Sequence, residues 1–350
     1  MSVYRHEHGQ EGHLSSLRSS STSDVLLGHA HTFKGKELLV AEVVDWYKDL
    51  NLEKTRVSRP SKFLFLCGGE RKIDEAAKAA NLRDYLLRVR PIKTKYDIVL
   101  AEEATQLYRD THYDDLITFE EDIARIAAVV LVIAESAGSL AELGAFSSND
   151  TIRFALRVVI PSHHEVNESF VRYGPIKRVT NEDRSHLGVY PWKEHAKGGL
   201  NVSSVKPHYT EIVNFIKGHL DSAQNSYFYK DLDGKELFYI TYWIIHLSMA
   251  ISRTVLYECV ISILPKANKN DIRNKLYCLQ IARWIKRESY SGKDYFYTLV
   301  DGDPFDYSYN EGVDNSTIRR KLAVANGLKN AENIPKYILK EAATARLRKP

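Results

Sequence analysis

Between Lys62 and Pro161 the chain alternates short, wholly apolar runs with stretches of helical periodicity, and few folds accommodate that alternation. Lys62–Cys67 (KFLFLC) closes on Gly68-Gly69, and the pattern returns at Tyr96–Ala101 (YDIVLA), Ala128–Ala134 (AVVLVIA) and Arg157–Pro161 (RVVIP). Runs without a polar face suit strands covered by helices on both sides. Helices are expected between them. Lys72–Val89 carries Ile73, Ala76, Ala77, Ala80, Leu86 and Leu87 at helical spacing. A second helix starts at Thr118, placing Glu120, Glu121 and Asp122 where negative charge meets the positive helix end. Ser139–Ser148 supplies a third. The prediction is an α/β fold built on a parallel, doubly wound sheet.

The flanks read differently. Residues 1–35 are rich in Ser, His and Gly and hold His6, His8, His13, His29 and His31, five of the thirteen histidines. They lack an apolar period and are expected to be a disordered tail rather than a metal site. Lys36–Asn51 forms a helix with Leu39, Val43, Trp46 or Tyr47, and Leu50 on one face, opening a domain over 36–222 that Tyr209–Leu220 closes. The stretch after Pro161, through RYGPIKR and HLGVYPW to Trp192, reads as loop. A second, mainly helical domain is expected over 235–312. Ser252–Leu264 is a helix stopped by Pro265, Asp271–Lys286 a helix capped by Asn270, and Arg287–Leu299 a hairpin about Ser291-Gly292-Lys293. That is the outline of a winged helix-turn-helix. Residues 313–350 form a basic helical tail.

The chain has 350 residues, 44% hydrophobic and 27% charged, enough for two domains. Its three cysteines, Cys67, Cys259 and Cys278, stand far apart, which excludes a disulfide framework or zinc ribbon and fits a reducing cytoplasm. The longest apolar run, Leu237–Ile251, is too short to span a bilayer, and the amino terminus shows no signal pattern, so a soluble intracellular protein is expected. Net charge is +4 but unevenly spread. Pro60–Glu165 has thirteen Lys/Arg against seventeen Asp/Glu, Ser252–Leu299 nine against four, and Ser316–Pro350 nine against two. The basic end suits a polyanion, although basic tails are often only solvated.

The chemistry concentrates in ESAGSLAELGAF, Glu135–Phe146, at the carboxyl end of a strand, where open α/β sheets bind ligands. Gly138 permits close backbone approach, and the helix start offers N–H groups to an anion. Glu142 falls in the first helical turn. The spacing Ser139-x-x-Glu142 also satisfies a capping box, which would make both residues structural. Glu135 at the strand end, and Glu102 and Glu103 past another strand, converge on the same mouth, where crowded carboxylates raise one another's pKa values. Glu102-Glu103 could equally open a helix.

Four pieces in order carry a resemblance: FLFLCGG (Phe63–Gly69), LAEE (Leu100–Glu103), ESAGSLAELGAFSSND (Glu135–Asp150) and FVRYGPIKR (Phe170–Arg178). They resemble the nucleoside deoxyribosyltransferase-like effector proteins of bacterial retrons, and GSLAE is more distantly similar to the G-[ST]-x-x-E element of nucleotide phosphoribohydrolases. The resemblance implies a toxic anti-phage effector in which Glu142 attacks C1′ of an N-glycoside. Glu135 would hold sugar hydroxyls or water. Cys67, Gly68, Gly69, Glu102, Glu103, Gly138, Ser139 and Tyr173 would contact substrate. Strand one ends in Cys67-Gly68-Gly69 without the aromatic hydroxyl of the transferases, which favours hydrolysis. NAD is the first substrate expected, with no cofactor and no metal. The resemblance further implies that reverse transcriptase with its branched RNA–DNA product holds the toxin inactive. Arg273, Lys275, Arg283, Lys286 and Arg287 along the second helix, with Lys293 at the wing tip, would face nucleic acid. A homo-oligomer is compatible with this reading. A nucleotide sensor without turnover, or a housekeeping phosphoribohydrolase, are the alternatives.

Overall fold

The computed structural model describes residues 22–71, 78–89, 97–103, 111–196 and 198–347, with side chains from Lys34 onward. Its centre is a fully parallel sheet of β2 (Phe63–Cys67), β3 (Asp97–Leu100), β4 (Val129–Ile133), β5 (Leu156–Pro161) and β6 (Leu187–Tyr190), in the order β3-β2-β4-β5-β6. Every residue of β2 and β4 is buried, as their uninterrupted apolar runs require. The chain leaves β2 toward β3, then crosses back to β4 on the other side. The connections therefore diverge between β2 and β4, the topological switch point where such sheets open a crevice past their carboxyl ends.

Both sheet faces are covered. Leu64, Leu66, Val129 and Leu131 pack under α2 (Leu82–Arg88) and α5 (Tyr209–Ser222). On the other face, Phe63, Phe65, Val130 and Val132 join one core with α1 (Thr22–Asp49), α3 (Leu116–Ile126), α4 (Ala137–Ser148), α6 (Glu236–Leu247), α7 (Arg253–Ile263) and α8 (Lys269–Ile281). The Phe63 and Trp284 rings meet edge-on at 6.2 Å. Residues 235–312 thus continue the core of the sheet. All three cysteines are free and buried. Among the described residues no helix is long and apolar enough to cross a membrane, and the apolar run from Leu237 forms the buried α6.

The expected hairpin is present. β9 (Ile285–Tyr290) and β10 (Lys293–Thr298) pair around Ser291 and Gly292, both at positive φ, and β8 (Ala250–Ser252) completes an antiparallel sheet. Helix α8 ends earlier than expected. Arg283 at φ 58° turns the chain, so Arg283 lies past the helix, and Lys286 and Arg287 lie on β9. Its cap is Asn268, in a reciprocal box with Asp271, rather than Asn270.

Other expectations need correction. Helix α1 begins at Thr22, so 22–35 are helical and carry His29 and His31, while His6, His8 and His13 lie outside the described residues. Of the helix expected over 72–89 the described residues show Leu82–Arg88, with 78–81 outside it, and 72–77 lie outside the described residues. Helix α3 begins at Leu116 under an Asp115 cap, which moves Glu120 and Asp122 beyond the first turn. The stretch after Pro161 contains β6 and short helices at Ser162–Val166 and Lys177–Glu182. A small antiparallel sheet was also unforeseen. Its strands are β1 (Arg56–Ser58), β7 (Ser226–Phe228) and β11 (Phe305–Asp306).

The expected basic tail is helical and docked. α9 (Thr317–Ala331) crosses α1 at glycines, and α10 (Lys336–Leu347) buries Ile338 and Ala342 against Tyr295 and Tyr297. A Cβ at Gly327 would stand 2.8 Å from Leu39 Cα, so backbone itself blocks it. Gly327→Ala gains about 1 kcal/mol of helix propensity but forces the crossing apart at roughly 1–3 kcal/mol. Net destabilisation is expected in urea unfolding. Gly218→Ala on α5, with nothing within 4 Å, should shift the midpoint the opposite way.

Candidate active site

β4 delivers Glu135 to the switch point, and Ser136 caps the helix that follows. Ser136 Oγ accepts from Ser139 N at 3.1 Å, and Ser139 Oγ accepts from Ser136 N at 3.0 Å and Glu135 N at 3.1 Å. The serines alone complete the capping box. This settles the two readings of Ser139-x-x-Glu142. Ser139, fully buried, is the N3 member of the box that Ser136 caps. Glu142 lies in the second turn, not the first, with no capping duty. Gly138 keeps an open approach, since an added Cβ would meet only Ser136 Oγ at 3.9 Å.

Glu135 departs from the expected role. Its carboxylate accepts from Gly69 N (3.1 Å), Arg83 N (3.1 Å) and Leu82 N (2.7 Å), tying β4 to the loop after β2 and to the start of α2. Burial pushes its pKa up to about 7, against the pull of the three N–H donors. A carboxylate so occupied holds the end of β4, the loop after β2 and the start of α2 together. The glycine pair is explained by the same packing. A Cβ at Gly68 would come 2.7 Å from Arg83 Cδ, and one at Gly69 2.5 Å from Asn81 Nδ2.

Glu142 is different. Its Oε2 is buried with no hydrogen-bond partner, an uncommon condition for a buried acceptor. Around it converge Cys67 from the end of β2, Arg83 from α2, Glu102 from the helical residues 101–103 and Glu120 from α3. Burial raises the Glu142 pKa to about 7, with Arg83 lowering it, Glu102 raising it, and a hydrogen bond with Cys67 lowering it. Burial and the neighbouring Glu142 charge push Glu120 higher, to about 8. The two carboxyls are coupled through that charge, and both are held well above the ordinary carboxylate range. Burial and these carboxylates keep the Cys67 thiol protonated. Arg83, 3% exposed, donates to Gly69 O at 3.1 Å and pairs with Glu102. The site thus gathers two buried carboxyls with raised pKa values, a condition under which acid and nucleophile roles can be divided as glycosidic cleavage requires.

Residues 79–287, well over half of the chain, match the STM3845 retron effector protein family. The chain belongs to that family. It is also similar to two Escherichia coli proteins. The "Retron Ec73 putative ribosyltransferase/DNA-binding protein" is 29% identical over 139 residues, covering 38% of this chain and 43% of the relative. The "Retron Ec86 putative ribosyltransferase/DNA-binding protein" is 30% identical over 170 residues, covering 48% of each. The chain thus spans about half the length of these curated relatives.

In this retron effector the remaining expected contacts scatter. Glu103 is exposed beside Arg71, Asp97 and Arg283. Tyr173, 58% exposed, lies under the Arg172 guanidinium on a short π-helix (Arg172–Ile176) that packs against α4. Residues 72–77 and 104–110 lie outside the described residues. Sequence reasoning missed Arg83 and Glu120. The available signal for Glu120 was a glutamate next to the buried position Phe119. Nothing in the sequence marked Arg83.

The basic residues expected to face nucleic acid are partly turned inward. Lys275 pairs with the buried Asp122 of α3 and packs over the Phe238 ring. Arg283 pairs with Asp97 at 3.1 Å, and Arg273 Nη1 lies 2.6 Å from His112 Nε2. Lys286 pairs with Glu288 at 2.6 Å and Arg287 with Asp294 at 2.9 Å. Lys293 stands exposed at the hairpin tip.

Proposed function

We propose that this retron effector breaks the N-glycosidic bond of a nucleotide, NAD first, with Glu142 as nucleophile and water as the final acceptor. The observation that carries the reading is the buried, unpartnered Glu142 oxygen at the sheet's switch point, electrostatically coupled to Glu120, whose pKa is also raised. The names of the two relatives, which include ribosyltransferase, support the reaction class. In the first step a Glu142 oxygen bonds to C1′ as the C1′–N bond breaks, and that electron pair leaves on the base. Nicotinamide departs neutral, whereas a purine needs a proton, which Glu120 donates. Water then attacks C1′, frees the Glu142 carboxylate and yields its proton to Glu120 or solvent. Cys67, a neutral S–H beside Glu142, takes the place where the transferases carry an aromatic hydroxyl, and supports hydrolysis over transfer. The same reading makes the protein a toxin restrained by reverse transcriptase and its RNA–DNA product, supported by the DNA-binding part of the relatives' names.

The test is to incubate the purified chain with NAD, nucleosides and nucleotides and chromatograph the products for free base. The rate should fall below about pH 7 as Glu142 takes up its proton. With a purine substrate it should also fall above about pH 8 as Glu120 loses its own. Glu120→Gln should erase the alkaline limb and keep the acid one. Tight binding with every nucleotide recovered intact would instead establish a sensor.

A further inference from the structure

Along the flank of α1 beside α7 runs a groove of about 590 Å³, lined on α1 by Glu37, Val40, Ala41, Val44 and Lys48 among others. The core uses a different face of this helix, with Leu39, Val43, Trp46 and Leu50 buried. Along the groove Glu37, Ala41 and Lys48 are exposed, and Val40 and Val44 are half-buried. One of its charges is already answered within the chain, since Lys36 pairs with Glu258 of α7. Glu37 and Lys48 have no ion-pair partner among the described residues. Eleven residues separate them, close to three full helical turns, so they share one face about 16 Å apart. Val40, Ala41 and Val44 fill the interval.

A face with an acid at one end, a base at the other and apolar side chains between them is complementary to itself turned end for end. A two-fold axis level with the middle of that interval sets Glu37 of each copy against Lys48 of the other, and Ala41 against Val44. Parallel pairing would instead place Glu37 against Glu37 and Lys48 against Lys48. A two-fold contact uses the same patch on both subunits, so one favourable pair occurs twice. We infer that this groove is the surface on which two copies of the chain pair, α1 antiparallel to α1, with a Glu37–Lys48 ion pair at each end. The inference is independent of the glycosidic chemistry and of any nucleic acid. Three turns of helix bury less than the roughly 800 Å² per partner of a stable complex, so the dimer should be weak, forming at about 10–100 μM.

The experiment is sedimentation equilibrium of the full chain up to about 200 μM, a little above the range expected for a contact of this size. Glu37→Lys alone sets lysine against lysine at both ends of the pair, and Lys48→Glu alone sets glutamate against glutamate. Each should weaken self-association by roughly tenfold, an effect that shrinks in high salt. Mixing the two single variants, one of them carrying a fluorophore, restores opposite charges at both ends. The mixed dimer should therefore form with an affinity within about threefold of wild type. The exposed Lys54→Glu should leave association unchanged. All of these positions lie on the surface, and melting curves establish that each variant is folded. A wild-type chain that stays monomeric throughout the range overturns the inference. So does a dimer that both single variants retain, which places the contact on another face, or a mixture no tighter than its components, which excludes the antiparallel register.

Discussion

Glu142→Gln should abolish base release while making the folded protein more stable above pH 7. Removing a covalent nucleophile typically costs on the order of 10³-fold or more in turnover. The stability effect follows from linkage. The folded pKa of about 7 lies above the ordinary value of 4.5. Stability from binding that proton is therefore fully present below about pH 4.5 and is lost as pH rises through 7. Above pH 7 the wild type holds a buried charge that glutamine does not. The variant should gain on the order of 2–3 kcal/mol at pH 8, closing to near zero at pH 4.5. Urea titrations at the two pH values read this, and chromatography reads the activity. A glutamate retained only to cap a helix would show the reverse: lower stability on substitution and unaltered turnover.

The second large effect is expected at the joint between α8 and α3. Lys275 and Asp122 pair with side chains only 18% and 10% exposed, and Tyr113 donates to Asp122 at 2.5 Å while its oxygen lies 3.2 Å from Cys278 Sγ. Lys275→Met strands a buried carboxylate and should destabilise the protein by about 3–5 kcal/mol. Asp122→Leu combined with Lys275→Met should recover most of that loss, because an apolar pair of similar volume carries no desolvation cost. Had Lys275 been a solvated contact for a polyanion, the single variant would cost under about 0.5 kcal/mol and act mainly on nucleic-acid affinity. A double-mutant cycle in urea separates the two roles. The joint also matters for the candidate site, since α3 carries both Asp122 and Glu120. The helix that the sequence marks for recognition is fastened to the helix that bears the proposed proton donor.

Four of the five central strands were legible because a strand covered on both faces leaves an unbroken apolar run. Leu187–Tyr190 was not, because four residues with a glycine among them carry no period. The three-residue strands β1, β7 and two-residue β11 exist only through pairing across more than 70 residues of chain, such as Arg56 with Phe228 and with Asp306. The Glu142 window was legible as a strand running into a helix. Its register was not, since Ser136 displaces Ser139 as the cap and moves Glu142 a turn inward.

By itself, then, the sequence determined the α/β class, the hairpin and the segment that bears Glu142. Each follows from local pattern: apolar runs, turn residues and the residue types at a strand end. Tertiary structure alone decided which charges meet. Glu135 was turned to backbone N–H groups by a loop that arrives from β2. Glu120 and Arg83 were brought beside Glu142 from separate helices. Lys275 was turned from solvent into an ion pair by an acid 153 residues away. The reason is that periodicity fixes which face of an element is apolar, whereas the partner of a polar side chain depends on which other element is packed against it.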